Sequence, residues 1–192
     1  MAENTSSSRA RMVAGAADMI SRRGLNATSV RDLAKHTKAP LGSTYHYFPG
    51  GKYDLATEAV RWTDQITTKI LIEELKAGPL AGLLAFLAIW RKVVLDSDFH
   101  AGCPVLAVAV EDLPDEQSAP REAAGATFGN WTALLAQSMQ QHGASAPDAR
   151  RIATLVVAAV EGTVAMCRAQ RSIEPLDQVT AELTRIVGET LG

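Results

Sequence analysis

Tyr45, His46 and Tyr47, with Ser43 and Thr44 just before them and Lys52 shortly after, gather hydroxyl, imidazole and ammonium groups into one short stretch. Side chains of these types donate hydrogen bonds to phosphate oxygens and reach base edges. Elsewhere the chain has no glycine loop of the nucleotide-binding kind, no paired metal ligands at a working spacing, and no usable order of Ser, His and Asp. Cys103 with His100 is the one conceivable nucleophile and base, so a small helical enzyme would have to be built on that pair.

The elements around the tyrosines must present them outward. Thr28 and Ser29 are N-cap residue types, and Val30, Leu33 and Ala34 give the helix after them an inward face at spacings of three and four. Thr37 to Pro40 reads as a turn, with Pro40 suited to the first position of a second helix over Leu41 to Phe48. A helix of two turns is long enough to offer side chains to the major groove when another helix buttresses it. Gly42 weakens that helix but lets the backbone come close to another surface. Pro49-Gly50-Gly51 ends it, and Lys52 opens the next helix, where ammonium and helix dipole can act on one phosphate. Arg31 and Lys38 are further phosphate-contact candidates, though a solvated helix face accounts for each nearly as well.

The run Thr28 or Ser29, Val30, Arg31, Asp32, Leu33, Ala34, then Gly42, Ser43, Tyr45, Tyr47, Phe48 and Lys52 resembles the N-terminal signature of the tetracycline-repressor (TetR) family of bacterial transcriptional regulators. The resemblance covers residues 9 to about 65. Lys38 stands where the family has a turn glycine, Ala39-Pro40 displaces the usual serine cap, and Leu41 replaces a basic residue. The Pro-Gly-Gly-Lys turn, Ala-Pro before the second helix and Gly102-Cys103-Pro104-Val105 resemble the branch with the lincomycin-resistance (LmrA-like) repressors. The resemblance implies that Tyr45, Tyr47 and Lys52 anchor the DNA backbone and that Ser43, Thr44 and His46 read bases. Thr28, Ser29, Arg31, Lys38 and Gly42 complete the expected DNA-binding set.

Charge is divided in the same sense. Residues 1–52 carry a net +5 and residues 53–192 a net −7, within a total of −2. A basic head on an acidic body suits a polyanion reader, because phosphate neutralisation supplies most non-specific affinity. Cys103 and Cys167, far apart and without metal-ligand spacing, read as free thiols of a reducing compartment. The N-terminal Ala2-Glu3-Asn4-Thr5-Ser6-Ser7-Ser8 lacks a signal-peptide core, and no apolar run is long enough to span a bilayer, so a cytoplasmic protein is expected with no membrane partner, metal or cofactor.

The remaining periodicities predict an all-α chain, and with the resemblance they imply a disordered tail over 1–8, a three-helix helix-turn-helix DNA-binding domain over 9–51, and an effector-binding and dimerisation domain over 52–192. The first helix is expected over Ser7 to Arg23, with Gly24 as its stop. A fourth, over Lys52 to Leu75, carries a stripe at Leu55, Ala59, Trp62, Ile66 and Ile70. Residues 103–110 suit either a buried strand or a buried helix, and the helical context favours the helix. Trp62, Phe86, Trp90, Cys103, Phe128, Trp131 and Met166 are candidates to line an apolar effector pocket, ordinary core being the plainer reading of each. The helix over Asp148 to Gln170 shows two apolar stripes and therefore needs two partners. A symmetric four-helix interface meets that need, with Ile152, Val156, Val160, Val164, Val179, Leu183 and Ile186 as its candidates.

Together these features predict a homodimeric regulator that binds a palindromic duplex operator and, as the resemblance implies, represses until a small hydrophobic or aromatic effector releases it. Two rivals remain: a helical small-molecule carrier whose head does not bind DNA, and the Cys103 enzyme.

Overall fold

The computed structural model describes residues 2–191, with side chains over 8–191. Its helices are α1 (Ala2–Arg23), α2 (Val30–His36), α3 (Leu41–Tyr47), α4 (Lys52–Glu74), α5 (Pro79–Asp96), α6 (Pro104–Ala109), α7 (Ala119–Gln141), α8 (Ala146–Gln170) and α9 (Glu174–Leu191). There is no strand among the described residues, and the apolar run after Cys103 is helical. The expected tail over 1–8 is instead the first turns of α1 from Ala2 on, since no glycine or proline interrupts the chain before Gly15. Met1 lies outside the described residues.

Packing divides the chain into two units, Met1–Asp64 with Pro104–Thr127, and Gln65–Cys103 with Phe128–Gly192. The boundary therefore does not fall between residues 51 and 52, because the first half of α4, all of α6 and the start of α7 pack with the head.

In the first unit, Met12, Val13, Ala16, Ala17 and Ile20 of α1 are buried, as their spacing predicts. Gly24 ends the helix at φ +80°, and a β-carbon there would meet Glu111 Oε1 at 2.5 Å. Both the backbone angle and the space demand glycine. Glu111, just past α6, accepts hydrogen bonds from the Asn26 backbone N–H (3.2 Å) and from its side-chain amide. It thereby ties the turn between α1 and α2 to the end of α6, which packs along α1.

The expected stripe of α4 holds at Leu55 and Ala59, which are buried, and is rotated beyond them. Thr63 and Thr67 face inward, whereas Ile66 is 40% exposed and Trp62 and Ile70 are only half-buried. Thr63 satisfies its hydroxyl by donating to the Ala59 carbonyl at 2.9 Å, which leaves its methyl group to pack as an apolar residue.

In the second unit, α5 buries Leu83, Phe86, Leu87, Trp90 and Val94, and packs against both α8 and α9. Ser145 caps α8 by accepting from the Asp148 N–H at 3.2 Å and donating to its carboxylate at 2.7 Å. The segment before α6 lies on α8. A β-carbon at Gly102 would come within 3.1 Å of the Arg168 side chain and 3.3 Å of Val164, and Arg168 donates to the His100 carbonyl at 3.1 Å.

Candidate nucleic-acid interface and ligand site

Two short helices build the candidate reading face. Ser29 caps α2, accepting from the Asp32 N–H at 3.1 Å and donating to the Asp32 carboxylate at 2.7 Å. Val30, Leu33 and Ala34 are buried beneath it. Pro40 sits one place earlier than expected, as the N-cap of α3 (φ −61°, ψ 134°), with Leu41 the first helical residue. Lys38 in the turn adopts φ +53°, the left-handed conformation that favours glycine.

On α3, Tyr45 is 52% exposed and His46 is exposed, while Ser43 and Tyr47 are half-buried. The Tyr47 ring stands edge-on to both His46 (5.4 Å) and the buried Phe48 (6.4 Å), which fixes its direction. At Gly42 a β-carbon would meet nothing within 4 Å, so the fold itself has no use for a glycine in this helix.

Two expected DNA contacts are corrected. Thr44 is fully buried, one helical turn before Phe48, with its hydroxyl toward the Pro40 carbonyl at 3.5 Å. Thr28 is buried as well, and donates to the Gly24 carbonyl at 2.8 Å. Both support the motif from within and offer no group to DNA.

The cations beside α3 divide into committed and available groups. Arg9 lies over the Phe48 ring at 5.3 Å and pairs with Glu58, which also takes Arg61 at 3.1 Å. Burial works to raise the Glu58 carboxyl, but hydrogen bonds and charge from the two guanidiniums prevail and hold it below its ordinary value. Asp18 is shared by Arg22 (2.8 Å) and His36 (3.3 Å). Lys52 is half-buried, its ammonium 5.1 Å from the Tyr53 ring. Arg31, Lys35 and Lys38 are exposed and form no ion pair among the described residues.

Sequence reasoning gathered the aromatic residues of the second unit in part. Phe86, Trp90 and Trp131 are fully buried and contact one another with ring centroids 5.5 to 6.2 Å apart. Phe128 joins at 5.9 Å from Trp131. Phe128 also borders an open groove of about 460 Å³ between α7 and the start of α8, lined further by Gly129, Thr132, Ala136, Gln140 and Arg150. Trp62 falls in the other unit, and Met166 is 49% exposed on the outer face of α8. Neither joins the cluster.

Cys103 is buried, and its neighbour is one that spacing did not show. Glu161 of α8 is 4% exposed, its carboxyl pushed up to about 7 by burial, with the Cys103 thiol the one group working against the shift. Neither Glu161 oxygen completes a hydrogen bond of ordinary geometry, and the indole N–H groups of Trp90 and Trp131 lack acceptors as well. His100, the base of the enzyme reading, is exposed, with Nδ1 3.2 Å from the Ser97 carbonyl. Cys167 is a second buried thiol, raised by burial.

The expected dimer stripe is also placed differently. Ile152, Val156, Val160 and Val164 are 6% exposed or less within the chain itself, as is Leu183 of α9, while Val179 and Ile186 are half-buried. They are covered within the chain, in which α8 packs against α5 and α9. The opposite face of α8 is open: Leu155, Ala158, Gly162, Ala165, Met166 and Ala169. Among the described residues α8 is the one helix apolar and long enough to cross a membrane, and half of that stretch is buried inside the protein.

Residues 12–59, which hold α2 and α3, match the bacterial regulatory proteins of the TetR family, and residues 79–182 match the C-terminal domain of LmrA/YxaF-like transcriptional regulators. An HTH-type transcriptional regulator of Mycobacterium tuberculosis is 38% identical over 184 residues, 93% of each chain. The chain belongs to the TetR family. Within it, the HTH-type transcriptional regulator LmrA of Bacillus subtilis is 28% identical, covering 91% of this chain and 93% of that protein. A TetR regulatory protein from Rhodobacter sphaeroides superposes with a TM-score of 0.82 at 22% identity, over 93% of this chain and 98% of that one, which shows the TetR fold. Helices α2 and α3, with Arg31, Lys35 and Lys38, lie within the residues that match the TetR N-terminal family model.

Proposed function

We propose that this regulator is a repressor that binds a palindromic operator as a homodimer and is released by a small molecule held in its second unit. The observation that carries the reading is the α3 surface. Gly42, Tyr45 and His46 are exposed, and Gly42 has open space where a side chain would sit, with Ser43 and Tyr47 half-buried beside them and the spare cations Arg31, Lys35 and Lys38 in the same head. Tyr45, Tyr47, Lys52 and the capped start of α2 at Ser29 would hold the backbone, while Ser43 and His46 would meet base edges.

The homodimer would form on the outer α8 stripe from Leu155 to Met166, replacing the valine stripe, which is already occupied. Joining two such faces covers apolar surface that a monomer would leave in water. It also sets two recognition helices roughly 34 to 36 Å apart for successive major-groove faces. An effector with an apolar body would enter the aromatic core of α5 and α7 and favour a state whose heads no longer fit that spacing. Such a protein works in the cytoplasm, where its operator is.

The test is selection of genomic fragments with purified protein, the chain's own upstream region as first probe, followed by footprinting. A two-fold symmetric site overlapping a promoter, bound with nanomolar affinity, supports repression. Ligand binding without duplex preference at any moderate salt would instead favour the carrier reading.

A further inference from the structure

The polar groups buried in the second unit say more about the ligand than its aromatic rings do. A buried carboxyl with no donor is costly to keep, and native proteins satisfy nearly all such groups. Among the described residues neither Glu161 oxygen has a hydrogen-bond partner of ordinary geometry, and no cation acts on its carboxyl. Three arginines of the second unit have other partners: Arg168 the His100 carbonyl, Arg171 Asp98 at 2.7 Å, and Arg91 Asp177. Cys103 is the side chain set against the carboxyl, and a thiol is a weak donor. α8, which carries Glu161, packs along α5, the helix of Phe86 and Trp90.

We propose that Glu161 is the anchor for a protonated amine, so that the effector class of this regulator is an amphipathic amine with an aromatic or polycyclic body. This rests on the reading of the second unit as the effector site. An ammonium supplies up to three donors and a full positive charge, which meets both oxygens and offsets the desolvation of the carboxylate. A hydroxyl or amide supplies donors without the charge. The unpartnered indole N–H groups of Trp90 and Trp131 add a second requirement, acceptor oxygens on the apolar body.

Three probes that share one apolar body separate the possibilities: naphthylethylamine, naphthylethanol and naphthylacetate, titrated calorimetrically into the full chain near neutral pH. The amine should bind roughly tenfold or more tighter than the alcohol, and the acetate weakest of all. In Glu161→Gln, which keeps the side-chain volume, the amine should lose about tenfold or more while the alcohol stays within about twofold. Circular dichroism checks that the variant is folded. Equal binding of amine and alcohol, or an amine affinity unchanged by Glu161→Gln, overturns the cation anchor and leaves the aromatic effector site standing. Failure of the wild type to bind any of the three overturns the aromatic site and the anchor together.

Discussion

The reading face of α3 and the buried core around Glu161 depart from good folding in opposite ways. On α3 the chain keeps exposed groups that stability does not ask for: a glycine with open space around it, a lysine at positive φ in the turn, and a half-exposed tyrosine. In the core it keeps buried groups that the fold does not satisfy: a carboxyl, two indole N–H groups and the Ser138 hydroxyl. The difference teaches where each partner is. A polyanion met at the surface leaves its mark as unused donors and cations, whereas a ligand taken inside leaves its mark as missing bonds.

The largest expected effect tests whether the surface site needs two copies. Gly162 lies in open space on the outer face of α8, so Gly162→Arg should leave the subunit folded and place a charge in the proposed interface. Sedimentation should then show monomers, with operator affinity down about 100-fold or more, since the second head no longer binds as part of one molecule. A dimer that persists would move the interface off this stripe.

Next comes the core. Because burial raises Glu161, the folded chain holds that proton to higher pH than the unfolded chain does. Its contribution therefore falls as pH rises from about 4.5 to about 7, and the cost is complete above that. Glu161→Gln should melt close to wild type near pH 5 and gain on the order of 3 kcal/mol relative to it near pH 8. A gain that does not vary with pH would mean that the carboxyl is not the group responsible.

Smaller effects should split stability from binding on the reading face. Gly42→Ala is expected to stabilise the head by up to about 1 kcal/mol, from helix propensity, while weakening operator binding about tenfold through the lost close approach. Denaturant melts and gel shifts on the same preparation read both. Lys38→Gly should relieve a left-handed lysine worth roughly 1 kcal/mol and flatten the salt dependence of binding by about one unit of slope. If binding rises along with stability in either variant, the native residue contributes nothing to DNA binding at that position.

How much of this was legible in sequence follows the same contrast. The two short helices and their turn could be read because caps, a proline and a glycine pair mark their ends, and the all-helical fold followed from apolar periodicity. The inward turn of Thr44 could not be read from seven residues of mixed polarity; its one signal was the i, i+4 spacing to Phe48. In α4 the register was missed because two threonines, Thr63 and Thr67, are buried, the first with its hydroxyl bonded back to the helix, while Ile66 faces water. Both stripes of α8 were visible, but β-branched valines served internal packing, and a face of small residues with Leu155 and Met166 stayed outside. Glu161 interrupts an apolar helix in plain sight; that Cys103 lies against it depends on how the segment before α6 folds onto α8, which spacing does not encode.

The most direct measurement is binding of the selected operator by wild type and by Tyr45→Ala and Tyr47→Ala across a salt titration. The account predicts a steep negative salt slope for the wild type and a loss of roughly 1 to 3 kcal/mol for each variant, with isosteric Thr44→Val unchanged. Tyrosine variants that bind as well as wild type, or a Thr44→Val loss as large as theirs, would contradict it.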